Sequence, residues 1–318
     1  MSSLITGITG FVGSHLARLL LEKKQDVFGI YRWRSPLENL DGLGNKIKLY
    51  ECDLRDLSSI IKVLKTVRPR YIYHLAAQSY VPASFAEPKE TMEVNIIGTL
   101  NILEAVRHVS IDPFIQICSS SDVYGEVRKN EVPIKETNLL RPLSPYAVSK
   151  AAEDLLGYQY FKSFGIKTII TRAFNITGPA RGEVFAESSF AKQIVEIEKE
   201  KRKPIIYVGN LNSVRTYADV RDIARAYYLT LTRGIPGEIY NIAGDSTLTI
   251  KKVLQILLKL SPVATKIKIE VDPKLLRPAD SVSKLPDDNK FRRLIGWKPQ
   301  ITIEQSLEDL LNWWRERI

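Results

Sequence analysis

Hydrophobic positions from residue 3 to about residue 174 follow two alternating spacings. Short runs rich in β-branched and aromatic residues are separated by longer segments in which apolar residues recur every three to four positions. The short runs are LIT, VFGIY, KIKLYE, YIYHLAA, FIQICSS and KTIITRAF. Strands and helices in regular alternation give right-handed crossovers and a parallel sheet with helices on both faces. The pattern therefore predicts a doubly wound α/β fold.

The alternation changes after about residue 174. The loops NITGPARGE and GNLNSVRTYADVRD and the proline-containing stretch RPADSVSKLPDD then separate helical patterns from isolated strands such as PIIYVG and EIYNIAG. We expect a doubly wound domain over residues 1–174 and a smaller C-terminal α/β region, which binds the substrate, over residues 175–318. Crossings of the chain between the two regions stay open.

The composition is that of a globular protein, because 44% of the 318 residues are hydrophobic and can form a large core. No apolar run approaches the roughly 18 residues that a membrane-spanning helix needs. The N-terminal segment shows no basic stretch followed by an apolar one and a cleavage site. We therefore expect a cytoplasmic protein without a membrane partner.

The net charge of +10 favours an acidic partner, which could be nucleic acid, a lipid surface or a phosphorylated small molecule. Basic residues are nevertheless interspersed with Glu and Asp, as in IEKEKRK, and form no continuous arm. We therefore expect no nucleic-acid partner. The two cysteines form no CxxC pair and the three histidines lie far apart in the sequence, so the pattern predicts no metal site.

Three glycines at intervals of three follow the first predicted strand, in TGITGFVGSH. Gly7, Gly10 and Gly13 let the strand turn tightly, let the backbone approach a pyrophosphate and let the next helix pack closely on the sheet. The segment predicts a Rossmann-type dinucleotide site. Arg32 and Arg34 follow the second strand, where an NAD enzyme carries an acidic residue for the ribose 2′-hydroxyl. Two cations there favour the 2′-phosphate of NADP(H), although solvated loop arginines would give the same pattern.

A helical segment, SPYAVSKAAEDLL, places Tyr146 and Lys150 four positions apart and hence on one face. A lysine ammonium beside a phenol favours the phenolate, so this pair can exchange a proton with a sugar hydroxyl. CSSSDVYG ends the fifth strand, and open α/β sheets place their sites at the carboxyl ends of strands. Ser120 of this segment can share the proton, so Ser120, Tyr146 and Lys150 are the predicted reactive set.

Taken together, the motifs TGITGFVGSH, HLAAQS, NIIGT, SSSDVYG, SPYAVSK and RAFNITGP resemble the extended short-chain dehydrogenase/reductase family that modifies nucleotide sugars. More closely, the segments YRWRSP, QSYVPASF, LLGYQY, FAKQI, VGNLNSVR and DVRDIARAYY are similar to the GDP-mannose 4,6-dehydratase and GDP-4-keto-6-deoxymannose reductase branch. The resemblance covers nearly the whole chain. It implies an enzyme that uses NADP(H) and acts on a GDP-sugar.

The resemblance assigns cofactor roles to matching positions. It implies that the three glycines hold the pyrophosphate, that Asp53 contacts the adenine and that Ala76 lines the cofactor path. Asn95 would support the proton relay from inside a helix, and Lys150 would also touch the nicotinamide ribose. For Asn95 a purely structural task, capping or kinking its helix, stays open.

The resemblance also implies substrate contacts. Ser84 would contact the hexose, and Asn175, Arg215 and Arg277 would hold the nucleotide diphosphate. Such a site would give the positive charge of the chain a local use. Structural alternatives stay open here too, because Ser84 could be only a loop hydroxyl and Arg215 could pair with a nearby aspartate.

The chain departs from the branch at three positions. Dehydratases carry a glutamate two residues before the tyrosine of SxxExYG, where it removes the proton at C5, and here Asp122 takes that place. Asp122 is a candidate catalytic base, but its side chain is one methylene shorter and proton transfer needs hydrogen-bond reach, which disfavours elimination. Ile176 replaces a histidine that is frequent in the branch, and Ala180 replaces a basic residue.

Asp122, the compact length and the NLNSVRTYADVRD stretch favour a GDP-4-keto-6-deoxy-D-mannose reductase, in which NADPH delivers hydride to the C4 ketone while Tyr146 gives the proton. Ile176 and Ala180 indicate a changed substrate. A GDP-mannose 4,6-dehydratase and an NDP-hexose C4 epimerase stay open as alternatives. An alternative of another class is a non-catalytic dinucleotide-sensing protein on the same fold. The intact reactive set argues against it, because binding alone needs no tuned phenol.

Two helices bear on the oligomeric state. The segments NIIGTLNILEAVR and SPYAVSKAAEDLLGYQYF resemble the pair that family members use to form a two-fold dimer. The RWRS segment resembles a loop that reaches a neighbouring subunit in the dehydratases. We therefore expect a homodimer, with a tetramer as the alternative.

Overall fold

The structure, a computed structural model, describes residues 1–276 and 285–318, so Arg277 lies outside the described residues. In chain order the strands are β1 (Ser2–Thr6), β2 (Asp26–Tyr31), β3 (Ile47–Glu51), β4 (Tyr71–His74), β5 (Phe114–Cys118), β6 (Lys167–Ala173), β7 (Asn175–Thr177), β8 (Ile205–Val208), β9 (Val214–Asp219), β10 (Ile239–Ile242), β11 (Ser246–Thr249) and β12 (Lys268–Val271). The α-helices are α1 (Phe11–Glu22), α2 (Leu57–Val67), α3 (Val81–Ala86), α4 (Pro88–Met92), α5 (Gly98–Val109), α6 (Pro145–Phe164), α7 (Ala186–Glu198), α8 (Val220–Arg233), α9 (Ile250–Lys259), α10 (Asn289–Ile295) and α11 (Ile303–Arg315).

A seven-stranded parallel sheet forms the centre of the protein, in the order β10-β6-β5-β4-β1-β2-β3. The six hydrophobic runs between residues 3 and 174 are its strands β1 to β6, so the predicted doubly wound fold is confirmed. β10 pairs with β6 and forms one edge of the sheet, although its residues 239–242 lie in the range predicted for the substrate region. The chain therefore crosses back into the sheet.

Helices cover both faces of the sheet. Neighbouring residues of β1 point to opposite faces, so Ile5 joins the core beneath α1 and α8 while Leu4 joins the core beneath α2 and α5. Leu16 of α1 and Leu64 of α2 are fully buried in these two cores. Of the helices that the structure describes, α6 is the longest, and it packs beside α5 and against β6. Its first turn lies where β5 ends, which positions the site.

The remaining elements form a smaller α/β unit around its own core. Helices α7, α9 and α11 pack on one another and bury Ile194, Leu254 and Leu307. β8 and β12 form a parallel pair, and β11, β9 and β7 form a three-stranded sheet. Residues of this unit close one side of the cleft described below.

Candidate functional site

A cleft of about 1080 Å³ opens at the carboxyl ends of β1, β4 and β5. One wall consists of the glycine turn, the loop after β4 and the first turns of α6. The other wall comes from the start of α7, from β9 and from residues 274–276. Clefts for drug-sized ligands measure about 300–1,000 Å³. This one has room for a dinucleotide and a second ligand.

The glycine turn forms the floor at one end of the cleft. Gly7 has a φ of +70°, and a Cβ on Gly13 would stand 2.3 Å from the Gly7 carbonyl oxygen. Only glycine fits where strand and helix approach so closely. Gly10 is the N-cap of α1, and no side chain in the described parts of the chain caps this helix, whose first residues line the cleft. The turn thus presents a helix N-terminus that can bind a pyrophosphate.

A buried histidine beneath the turn joins the ends of β1 and β4. The Thr6 hydroxyl accepts two backbone N–H groups from the loop after β4, so its own proton goes to Nδ1 of His74, 2.8 Å away. Nε2 of His74 donates to the Thr99 hydroxyl at 2.9 Å, which in turn donates to the Asn95 carbonyl oxygen. These bonds need the neutral imidazole. Burial, assisted by the charge of Lys150, lowers the pKa of His74 to about 3.

The end of β2 places its two arginines differently. Arg32 lines the cleft, is 61% exposed and lies 3.9 Å from the Glu90 carboxylate. Arg34 has a φ of +61° and stacks on Trp33, with 4.2 Å from its guanidinium carbon to the ring centroid. Ser35, which the sequence analysis did not select, lines the cleft beside Arg32. Arg32 and Ser35 are therefore the donors that the structure offers to a 2′-phosphate at this position.

In the loop after β3, the carboxylate of the predicted adenine contact, Asp53, pairs with a neighbouring arginine. The Asp53 carboxylate accepts two hydrogen bonds from the Arg55 guanidinium, and this pairing lowers the pKa of Asp53. Its neighbours Cys52 and Leu54 are the described residues of this loop that line the cleft. A contact of Asp53 with adenine stays a prediction. Ala76 does line the cleft, and its Cα lies 2.9 Å from where a Cβ on Gly7 would stand.

Helix α6 carries the predicted proton donor in its first turn. Ser144 caps the helix by accepting a backbone N–H of that turn, which sets the direction of the helix. Tyr146 and Lys150 follow one turn apart and line the cleft together with Ser120 and Asp122. The Ser120 hydroxyl accepts the Asp122 backbone N–H at 3.1 Å, where a short 3₁₀ turn begins after β5. The structure thus brings together the four residues predicted to be catalytic.

The surroundings of Tyr146 keep its phenol protonated at neutral pH. Burial raises the pKa of Tyr146 to about 12, and the Asp122 carboxylate acts in the same direction. The Lys150 ammonium and a hydrogen bond with Ser120 oppose this shift without cancelling it. Tyr146 is therefore an acid that can give its proton to an oxyanion in the cleft.

Asn95 lies in a π-helical turn, Glu93–Ile97, between α4 and α5. Its side chain accepts the Gln78 backbone N–H at 2.8 Å and donates to the Gln78 carbonyl at 3.1 Å and the Ser149 hydroxyl at 2.8 Å. Both N–H donors of the amide are used in this way. Asn95 therefore clamps the loop after β4 to α6, and a direct part in a proton relay stays a prediction.

Of the predicted substrate residues that the structure describes, Asn175 and Arg215 line the cleft. Ser84 is fully buried, and its hydroxyl donates to the Val81 carbonyl oxygen at 2.7 Å within α3. Ser79 of the same loop lines the cleft. The segment QSYVPAS contains both serines, and its spacing alone does not tell which one faces a ligand. The hexose contact assigned to Ser84 stays a prediction.

Arg181 is a cleft residue that the sequence analysis missed. Its guanidinium carbon lies 3.4 Å from the ring centroid of Phe185 and 5.2 Å from that of Phe11, which belongs to the glycine turn. Its Nε lies 3.3 Å from a Glu187 carboxylate oxygen. Arg181 thus joins the cofactor turn to the loop before α7. The available signal was a basic residue directly after Ala180, where the resemblance indicates a cation.

Residues 1–276 and 285–318 hold no group of three or more His, Cys, Asp or Glu side chains that could bind a metal ion. Across the same ranges, we find no helix with the length and apolar character needed to cross a bilayer.

Comparison with known proteins gives relatives along the whole chain. Residues 4–310 match the family model described as GDP-mannose 4,6 dehydratase. The GDP-6-deoxy-D-mannose reductase of Pseudomonas aeruginosa is 32% identical over 315 residues, which cover 99% of this chain and 97% of that protein. The GDP-mannose 4,6-dehydratase of Yersinia enterocolitica is 32% identical over 349 residues, with 97% and 92% covered.

Solved structures are similar in fold. RMD from Pseudomonas aeruginosa, complexed with NADPH, has a TM-score of 0.85 and 30% identity, with 100% of both chains covered. The UDP-glucose 4-epimerase of Thermotoga maritima, with UDP-glucose, has a TM-score of 0.89 and 27% identity, with 100% of this chain and 99% of that chain covered.

Proposed function

Since this chain belongs to the GDP-mannose 4,6 dehydratase family of extended short-chain dehydrogenases/reductases, we propose that it reduces the C4 ketone of GDP-4-keto-6-deoxy-D-mannose. The chain is an NADP(H)-dependent enzyme of nucleotide-sugar metabolism.

The residues of the cleft fit NADP(H). The glycine turn forms a cradle that a Cβ at Gly7 or Gly13 would fill, and the open N-terminus of α1 suits a pyrophosphate. Arg32 and Ser35 supply a cation and a hydroxyl for the 2′-phosphate. We therefore assign this end of the cleft to NADP(H).

In this reaction NADPH, when bound, supplies the hydride that adds to C4. Tyr146 gives its phenolic proton to the C4 oxygen, and the Ser120 hydroxyl donates a hydrogen bond to that oxygen as charge develops on it. Lys150 stabilises the resulting tyrosinate, which later recovers a proton from solvent. Asn175 and Arg215 hold the diphosphate, so that the ketone faces Tyr146.

The position of Asp122 is our main reason to propose reduction and not elimination. Asp122 lines the cleft at the position where dehydratases place the glutamate that removes the C5 proton. The aspartate is one methylene shorter, and a shift of about 1 Å is large for proton transfer. Reduction needs no base at that position, because Tyr146 supplies the proton.

The dehydratase remains the second candidate, since Asp122 still places a carboxylate in the cleft and the family model carries the dehydratase name. A dehydratase or an epimerase returns the hydride to its substrate. A reductase consumes one NADPH for each product formed. Cofactor stoichiometry therefore separates the candidates.

The test is the absorbance of NADPH after GDP-4-keto-6-deoxy-D-mannose is added to the purified protein. We expect a stoichiometric fall, and we expect Tyr146→Phe to reduce turnover by about 10²- to 10⁴-fold while it still binds NADPH. Conversion of GDP-mannose to a 6-deoxy-4-keto product, without loss of NADPH absorbance, would instead identify a dehydratase. Unchanged turnover in Tyr146→Phe would exclude the proposed proton donor.

We further propose a homodimer formed by α5 and α6. Leu155 of α6 is 64% exposed and Tyr158 is 48% exposed, and Ile97, directly before α5, is 42% exposed. A two-fold axis would bury this face against its own copy. Light scattering should give a dimer, and Leu155→Glu should shift it towards monomer. Trp33, which is 62% exposed, is the contact we assign to a tetramer.

The division into residues 1–174 and 175–318 is likewise our proposal for cofactor and substrate binding. Gly7 and Tyr146 belong to the first part, whereas Asn175 and Arg215 belong to the second. The crossing of β10 into the main sheet means that this division follows ligand binding and not the boundaries of the sheet.

A further inference from the structure

Helix α6 buries two consecutive carboxylates just after the catalytic lysine. Asp154 pairs with Arg172 at 2.6 Å, and this guanidinium also donates to the Tyr124 hydroxyl at 2.9 Å, which ties α6 to the loop after β5. Glu153 has a different partner, because its Oε2 lies 3.0 Å from Nζ of Lys150. The reaction described above gives Glu153 no role.

The direction of the Lys150 ammonium is set by two acceptors. An ammonium has three N–H donors. One is used by the Cys118 carbonyl oxygen at 2.8 Å and one by the Glu153 carboxylate. Cys118 ends β5 and Glu153 belongs to α6, so the ammonium is fixed between sheet and helix. Within the described structure, the third N–H is left for the cleft, which Lys150 lines.

The ion pair between Lys150 and Glu153 is a poor source of fold stability. Their side chains are only 4% and 1% exposed, and the cost of burying two charges can exceed what their attraction returns. Oε1 of Glu153 is buried and has no hydrogen-bond partner among the residues described, which adds a further cost. Two apolar residues in place of the pair would serve folding as well. The pair therefore points to a task in the reaction.

We propose that Glu153 is a positioning residue, whose carboxylate keeps Lys150 charged and aims the third N–H of its ammonium into the cleft. The proposal rests on the proposed function only for its effect on turnover. Its effect on cofactor binding rests on the NADP(H) site alone.

The electrostatics around Lys150 support this role. Burial alone would lower the pKa of Lys150, and the Glu153 carboxylate is the foremost group that reverses this effect and raises it. Burial also raises the pKa of Glu153, to about 7, against the opposing attraction of Lys150, so its carboxylate acts on Lys150 at and above neutral pH.

The other groups that face Lys150 are Tyr146 and Asp154 on the same helix, Cys118 of β5 and His74 of β4. The charge of Asp154 is balanced by its pair with Arg172. Tyr146 and His74 are uncharged at neutral pH, because burial raises the pKa of the phenol and lowers that of the imidazole.

Removal of the Glu153 charge has an effect of defined sign. Burial then acts on Lys150 without the opposing carboxylate, so the ammonium loses its proton at a lower pH than in the natural chain. Interactions of Lys150 with the cofactor are lost as the pH rises through that lowered pKa. The natural chain keeps these interactions over the same range.

The experiment measures the dissociation constant of NADPH, by the fluorescence of the bound cofactor, from about pH 7 to about pH 9.5. We expect the affinity of Glu153→Gln for NADPH to fall increasingly below that of the natural chain as the pH rises, by at least about tenfold at the upper end of this range. Glu153→Asp keeps the charge but retracts it, so it should lose less, and it serves if the Gln variant does not fold. The control is Glu104→Gln, since that carboxylate binds Tyr160 and Arg107 outside the cleft.

A second background tests whether Glu153 acts through Lys150. In Lys150→Met, the further change Glu153→Gln should leave the affinity for NADPH unaltered. A loss of affinity that is equal at every pH, or that persists in Lys150→Met, would overturn the proposal. The protein could show the expected pH profile and yet not consume NADPH when the keto sugar is added. That result would uphold the role of Glu153 and refute the proposed reductase activity.

Discussion

The two ends of the cleft are built in different ways. At the cofactor end, three glycines and the N-terminus of α1 form a surface of backbone, held from below by the Thr6–His74–Thr99 chain of hydrogen bonds. At the substrate end, the surface consists of side chains from distant parts of the sequence, such as Asn175 of β7 and Arg215 of β9. A backbone surface is fixed by the fold, whereas a side-chain surface can change one residue at a time. The first suits a constant cofactor, and the second suits a substrate that differs between relatives.

The largest expected effect breaks the backbone end. In Gly13→Ala, the added Cβ would stand 2.3 Å from the Gly7 carbonyl oxygen and 2.9 Å from the Ile8 Cα, so the turn must open. Closing the turn against this overpacking costs about 1–3 kcal/mol, and because NADPH binds only the closed turn, its affinity should fall by up to about a hundredfold. Fluorescence titration measures it. Gly182→Ala is the matched control, because its Cβ would meet nothing nearer than 3.8 Å.

The second effect breaks the side-chain end. Arg215→Gln removes the cation that we assign to the diphosphate, and a hydrogen bond to a charged group contributes about 1.5–3 kcal/mol. The KM for the nucleotide sugar should therefore rise by about tenfold to a hundredfold. The affinity for NADPH should stay the same, as it should in the control Lys252→Gln on the exposed face of α9. Equal losses for both ligands would contradict the separation of the two ends.

The smallest effect concerns the support beneath the cofactor end. The pKa of His74 is about 3 in the folded protein, because of burial, against 6.5 for an ordinary histidine. The unfolded chain therefore takes up a proton as the pH falls below 6.5, while the folded chain does not. This costs about 2 kcal/mol of stability between pH 7 and pH 5.

Urea unfolding at a series of pH values measures this loss. His74→Gln should flatten the decline of the unfolding free energy between about pH 7 and about pH 5, whatever its effect on stability at pH 7. His108→Gln is the control, since His108 is exposed on α5. An unchanged slope in His74→Gln would mean that another group causes the acid sensitivity.

The same contrast explains what the sequence could predict. Six strands, the glycine turn and the Tyr146–Lys150 pair follow from spacing, because the periods of strand and helix and the space left by a missing Cβ are local properties. Tyr146 and Ser120 lie at the same edge of the sheet, because β5 ends there and α6, which leads from β5 to β6, begins there. These features needed no knowledge of side-chain packing.

Residues whose roles depend on side-chain direction could not be predicted in this way. Ser79 and Ser84 lie in one segment, yet only packing turns the Ser84 hydroxyl into α3. Arg181 reaches the glycine turn through tertiary contacts with Phe11. Glu153 follows the helical period, but its link to Lys150 requires the burial of both side chains.

The crossing of β10 also has a consequence for protein synthesis. Ile239 pairs with Ile170, so β6 must wait for its neighbour until much of the second half has left the ribosome. Until then β6 is an open edge, with backbone N–H and C=O groups that can pair with another nascent chain. Because β10 is the last strand of this sheet to be translated, its pairing with β6 is the step that covers this edge and protects it from aggregation.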